Sequence, residues 1–246
     1  MIPTLYRKLF FVATNVKYLK KSHPRICKCC LKKSLFISLG SSGEFQRCLF
    51  CGANLRYELM AEYLRYEYKN HLDRLTILEL DPHSPLRHLF KNNPNYIRTF
   101  FSPHLQKGLH YAKRGRCEDV TALTFGNNYF DLVISSDVLE HVEDIQSANK
   151  EIYRVLAPRG SHLFTIPLHH GNTSMRAKTI NGTLYFMHPP EYHLDFNGES
   201  GKILVYWHFG NNDITTLLEM ENYNCSIVKK SHAQDYRTIF NLTKKM

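Results

Sequence analysis

Two groups of residues in this chain have the types and spacing to do chemistry. The first is a set of cysteines. Five of the seven fall between positions 27 and 51, and Cys27, Cys30, Cys48 and Cys51 follow the pattern C-x2-C-x17-C-x2-C. Each C-x2-C pair aims two thiolates at one point, and two pairs make the tetrahedral sulfur set of a closed, structural zinc site. Gly52, after the second pair, supplies the backbone freedom such a turn needs. Cys29 is the spare and replaces Cys30 if the register shifts. Disulfides are one alternative, but no secretion signal is read in the first 21 residues to place them in an oxidising compartment. A chance meeting of buried cysteines is the other. Cys117 and Cys225 sit in strand-like contexts and read as core.

The second group is rich in histidine. His141 follows Asp137 at the end of an apolar run. Further on come His169-His170 and the run His188-Pro189-Pro190-Glu191-Tyr192-His193. Imidazole titrates near neutrality and is a natural proton acceptor. His193 is the first candidate base, His170 the second, and His141 a third that reads equally well as architecture. The spacing fits no standard zinc site. Plain surface histidines are the alternative.

The elements that must position these groups can be read from periodicity. Residues 130–135 are apolar on both faces, as a central parallel strand must be. A polar loop follows at 135–141, then a helix that ends near 160, then a second apolar strand at 162–167. Strand, loop, helix and strand at this spacing make a βαβ unit, and ligands of such sheets sit beyond the carboxyl ends of the strands. Further strands are expected at 76–81, 96–100, 116–123, 225–229 and 236–242. Helices are expected at 58–72, with Leu59, Met60, Tyr63, Leu64 and Tyr68 on one stripe, and at 214–221. Arg56 and Arg65 are read as solvated.

The runs Phe130-Asp131-Leu132-Val133-Ile134-Ser135-Ser136-Asp137-Val138-Leu139-Glu140-His141-Val142 and Glu151-Ile152-Tyr153-Arg154-Val155-Leu156-Ala157-Pro158-Arg159-Gly160 carry a family resemblance. They are similar to the second half of class I S-adenosylmethionine (SAM) dependent methyltransferases of the type 11 group, and the likeness extends over about 75–241. It implies an α/β fold. A Rossmann-like seven-stranded sheet would carry helices on both faces and follow a small zinc ribbon, a module that similar methyltransferases often bear. The implied domains are a basic amphipathic segment at 1–24, the ribbon at 25–56 and the methyltransferase domain at 57–246, with a substrate lid at 168–208. The implied cofactor residues are Glu79 at the end of the first strand, then Asp81, His83 and Ser84 in the turn. Asp119, with Val120, would face the adenine, and Ser135 and Asp137 would lie beside the methionine. The chain departs from the family twice. The turn at 81–87 holds no glycine, although Ser84 and Pro85 can cap and start a helix there. Phe100-Phe101-Ser102 stands where relatives place a ribose-binding carboxylate. The loop at 135–138 is also not the Asn-Pro-Pro-aromatic loop of enzymes that methylate bases and amides.

The expected reaction is SAM-dependent methylation of a small molecule or saccharide, at oxygen, with zinc as a structural ion and the cytoplasm as the location. Two rivals stand beside it. One is a degenerate, non-catalytic fold acting as a binding module, and the other is an RNA methyltransferase. The net charge of +10 favours anionic partners. Residues 1–34 hold many Lys and Arg and no Asp or Glu, so the first segment is either a solvated helix or an arm for nucleic acid or a membrane surface. No apolar run approaches the ~20 residues of a membrane span.

Overall fold

Residues that alternate between two apolar faces along short strands can be buried only if both faces are covered, and that requirement organises the chain. The computed structural model describes residues 13, 16–41, 43–112, 114–194, 201–214, 223–229 and 238–245.

Three short strands come first: β1 (His23–Ile26), β2 (Lys33–Ser38) and β3 (Gln46–Cys48). They form an antiparallel sheet in chain order, the expected ribbon. Helix α1 (Leu55–Glu67) follows. It was expected at 58–72, but the Asn54 side chain accepts the Tyr57 amide at 3.2 Å and starts it earlier. The backbone leaves helical geometry at Tyr68.

The main sheet then begins with β4 (Ile77–Glu79), β5 (Tyr96–Phe100), β6 (His110–Tyr111), β7 (Gly115–Cys117) and β8 (Phe130–Ser136). Helix α2 (Ile145–Val155) leads directly into β9 (Leu156–Thr165). After β9 lie β10 (Leu168–His169), β11 (Ser174–Met175), the pair β12 (Ala177–Ile180) and β13 (Thr183–Phe186), the pair β14 (Tyr192–Leu194) and β15 (Lys202–Leu204), and β16 (Trp207–Gly210). Strands β17 (Tyr223–Lys229) and β18 (Ile239–Lys244) return to the sheet.

The sheet order is β17-β18-β9-β8-β4-β5-β7-β6. Strands β7, β5, β4, β8 and β9 are parallel, and β18 is antiparallel to both its neighbours. Seven strands were expected, and the described residues contain eight. The extra one is the two-residue β6, which folds back on β7 and sets Tyr111 edge-on to Phe100 at 5.8 Å.

Side-chain alternation shows what covers each face. Ile77, Leu132, Ile134, Leu163 and Ile239 pack with Met60, Ala61 and Leu64 of α1. Their neighbours in sequence, Leu78, Val133, Phe164 and Phe240, pack with Ile152 and Val155 of α2. Helices therefore cover both faces, as expected. The Lys244 ammonium donates to the Tyr153 and Leu156 carbonyls at 2.9 and 2.8 Å, which ties the last strand to the end of α2.

Several expectations changed locally. The turn after β4 holds a single 3-10 turn, Pro85–His88, where a helix was expected; the Ser84 hydroxyl caps it by accepting the Leu86 amide at 3.1 Å. Strand β7 stops at Cys117 and not at 123, because the Glu118 carboxylate turns the chain by accepting the Thr124 amide at 2.9 Å. The helix expected at 214–221 lies, beyond Ile214, outside the described residues. So does most of the basic segment at 1–24, of which a 3-10 turn at Val16–Lys21 is described.

Candidate functional site

The two cysteine pairs build the same turn twice. The Leu31 amide donates to the Cys27 carbonyl and the Gly52 amide to the Cys48 carbonyl, each at 2.8 Å, and the Cys27 and Cys48 amides donate to Lys32 and Ala53. Leu31 and Gly52 both take left-handed backbone, with φ of 58° and 78°. Glycine was legible at one of these positions, whereas the leucine was not, since it accepts the strain of a non-glycine residue there. The thiols of Cys27, Cys30, Cys48 and Cys51 converge within 4.8 Å of one another, and Cys27 and Cys51 are 3.5 Å apart. That is far beyond a disulfide bond of about 2.05 Å and near the edge of a tetrahedral S4 zinc site. The donor set therefore fits zinc. Cys29 is buried but outside the cluster. Arg65, expected to be solvated, donates to the Lys28 and Cys29 carbonyls. Glu58 pairs with Arg25 and accepts the Lys28 amide at 2.9 Å. Both bind the first knuckle to α1.

A cavity of about 830 Å³ opens at the carboxyl ends of β4, β5, β7 and β8, with Leu80, Phe100, Phe101, Asp119, His141 and Trp207 in its wall. This is the edge at which ligands of such sheets bind. Its size suits a cofactor with a small acceptor. Asp119 and Val120, read as adenine contacts, line it. One oxygen of Asp119, Oδ1, accepts the Thr121 amide and hydroxyl at 2.9 and 2.7 Å; this caps a turn and leaves Oδ2 for a ligand. Phe100 and Phe101 give the cavity an aromatic wall.

The other expected cofactor residues are not among those that line this cavity. Glu79 is fully buried, accepts the Tyr96 hydroxyl, and burial pushes its carboxyl up to about 8, with the charge of Asp81 adding to the effect. Asp81 accepts the Tyr57 hydroxyl at 2.6 Å and the His83 amide at 2.8 Å. Ser84 is engaged in its cap. The Ser135 hydroxyl meets His162 at 2.9 Å, and burial lowers that imidazole to about 3. Asp137 stands in left-handed backbone with φ of 51°. Its carboxylate accepts the Thr165 hydroxyl at 3.0 Å and pairs with Arg56. Arg56 is thus not solvated: it is buried and also reaches Glu44 at 3.6 Å. Nothing in the sequence pointed to that pairing, because the partners come from separate elements.

The insert after β9 folds over the loop that follows β8. The Trp207 ring N–H donates to the Val142 and Glu143 carbonyls at 3.0 and 3.1 Å. The Tyr206 amide donates to the Glu140 carbonyl at 2.8 Å, and the Thr179 hydroxyl to the Glu143 carboxylate at 2.8 Å. This brings together two of the three candidate bases. The Nδ1 of His193 and the Nε2 of His141 are 3.1 Å apart, with their rings edge to face. The third, His170, is exposed and outside this pair. Its neighbour His169 stacks on His208 with ring centres 3.7 Å apart, and Glu191 accepts from His208 at 2.7 Å. Burial lowers the affinity of His193 for a proton, and the charge of Glu191 partly restores it.

Residues 78–164 match a family model described as a methyltransferase domain; this segment runs from β4 to β9. No curated protein matches the chain. Among solved structures, it is similar to the 1,6-didemethyltoxoflavin-N1-methyltransferase of Burkholderia thailandensis, solved with 1,6-didemethyltoxoflavin and S-adenosylhomocysteine. The identity is 12%, over 78% of this chain and 79% of that one, with a TM-score of 0.49. It is also similar to an S-adenosylmethionine dependent methyltransferase from Mesorhizobium loti, at 15% identity over 75% and 97% of the two chains, with a TM-score of 0.47. The segment that matches the methyltransferase-domain model forms the parallel core of the sheet.

Proposed function

We propose that the chain methylates an oxygen of a small molecule or saccharide. The observation that carries this reading is the cavity at the carboxyl edge of the sheet, with the His141–His193 pair where the insert closes on it. SAM, when bound, supplies a methyl group on a sulfonium. Asp119 would accept a hydrogen bond from the adenine amino group through Oδ2, and the rings of Phe100 and Phe101 would flank the nucleoside. His193 is the base that takes the hydroxyl proton of the acceptor. Its lowered affinity for protons keeps it neutral and ready near pH 7, and the Glu191 carboxylate, 3.7 Å from its Nε2, would steady the imidazolium. His141 positions it. Residues 168–208 act as the lid, and zinc at Cys27, Cys30, Cys48 and Cys51 fixes the ribbon against α1.

The test is calorimetric titration of the zinc-loaded chain with SAM. Micromolar binding that is lost in Asp119→Ala supports the reading, and an acceptor screen then follows. No binding by a folded protein overturns it and leaves the second reading, a binding module. That reading draws on the glycine-free turn at 81–87, where Asp81 is taken up by Tyr57 and Ser84 by its cap. Salt-dependent RNA binding with methyl transfer to RNA would instead favour an RNA acceptor.

A further inference from the structure

A buried carboxyl group without a hydrogen-bond partner is costly, and this chain holds one beside its histidine pair. Both oxygens of Glu140 are buried without a hydrogen-bond partner, and the side chain is 2% exposed. Its Oε1 lies 3.7 Å from His141 Nε2 and 3.9 Å from His193 Nδ1. Arg56, whose charge reaches Glu140, has its guanidinium engaged by Asp137 and Glu44.

From this juxtaposition we propose that Glu140, His141 and His193 bind a first-row divalent cation at the wall of the cavity. The donor atoms lie within 4.8 Å of one another. Two donors each about 2.1 Å from one cation stand about 3.0–3.4 Å apart. The histidine nitrogens, 3.1 Å apart, already meet that spacing, and a small rotation of the carboxylate closes the rest. The supporting contacts are those a metal site needs. His141 donates its other ring N–H to the Leu204 carbonyl at 2.7 Å, which assigns the tautomer and leaves Nε2 as the ligand atom. The far nitrogen of His193 faces Glu191. Two imidazoles and one carboxylate suit iron, cobalt, zinc or manganese in the divalent state. The cation takes the place of the proton that the two imidazoles otherwise share. Three protein ligands leave positions open, as in catalytic rather than structural sites, and His141 lines the cavity, so an acceptor oxygen can reach them. With the cation bound, His193 would serve as a ligand in place of its role as base, and the cation would orient and acidify that oxygen, whose proton would pass to water. This last role rests on the methyltransferase reading, whereas the binding site itself does not.

The experiment loads the full chain with one equivalent of zinc for the cysteines and then titrates Co²⁺, following visible absorption. The expected result is one further equivalent, with d–d bands and no thiolate charge-transfer band. Glu140→Gln and His193→Ala should each weaken it at least tenfold. His193 is partly exposed on its hairpin, so His193→Ala is the variant expected to fold if Glu140→Gln does not, with circular dichroism as the check. No second equivalent, a thiolate band, or unchanged affinity in His193→Ala overturns the proposal. SAM calorimetry on the same samples separates the two readings. Cofactor binding without cobalt sinks only the metal site, and cobalt binding without cofactor sinks only the methyltransferase reading.

Discussion

Glu79 makes stability depend on pH in a direction opposite to the usual one for a carboxyl group. It sits at the end of the central strand β4, 1% exposed, against the Tyr96 hydroxyl. Burial raises its carboxyl from an ordinary 4.5 to about 8. The folded protein therefore keeps a proton that the unfolded chain gives up. Below pH 4.5 both states hold it and nothing is lost. Between 4.5 and about 8 the folded state binds more protons, so stability falls as pH rises. At about 1.36 kcal/mol per pH unit, the whole interval costs about 5 kcal/mol, a large part of a typical margin of about 5–15 kcal/mol. Glu79→Gln keeps an oxygen for Tyr96 and removes the titration. Urea unfolding of both proteins from pH 5 to pH 8.5 is the assay. The wild type should lose stability relative to the variant across this range, with the difference levelling off above pH 8. In thermal scans, about 2–4 °C of midpoint accompanies each kcal/mol. Parallel profiles for the two proteins would show that Glu79 is ionised in the folded state and that the argument fails.

Other perturbations have expected outcomes of their own. Arg56→Ala strands Asp137 and Glu44 in a part-buried site and should cost about 3 kcal/mol in urea unfolding; Asp137→Asn added to it should recover part of the loss, and simple additivity would refute the pairing. Removing zinc with a chelator, or Cys48→Ser, should abolish hydrogen-exchange protection in β1–β3 while β8 and β9 keep theirs; structural zinc supplies on the order of 10 kcal/mol to such modules, so an unchanged ribbon would exclude a metal role for the cysteines. Gly160→Ala would place a methyl 2.9 Å from the Phe130 carbonyl and 2.8 Å from that of Ala157, where backbone cannot yield, and should cost about 1–3 kcal/mol; a neutral result in thermal unfolding would mean that β8 and β9 can separate there.

The sequence by itself determined the local and repetitive parts of this protein. Strand β8 was legible because Leu132, Val133 and Ile134, consecutive in the chain, put apolar side chains on both faces of the sheet. The cysteine quartet was legible because a C-x2-C knuckle is a local structure with a local spacing. The likeness over 130–160 likewise rests on contiguous residues. Element ends were less legible. The starts and stops of α1 and β7 depend on single side chains, Asn54 and Glu118, whose bonding partners a pattern of apolar residues does not register. Only the tertiary structure decided the site. It set Arg56 against Asp137, left most of the expected cofactor residues out of the cavity lining and separated His170 from the other candidates. It also brought His193 from the insert to His141 and left Glu140 buried between them without a hydrogen bond. The physical reason is that charge pairing, burial and proton affinity depend on distances through space, and the chain sets those distances only when sheet, helix and insert pack together.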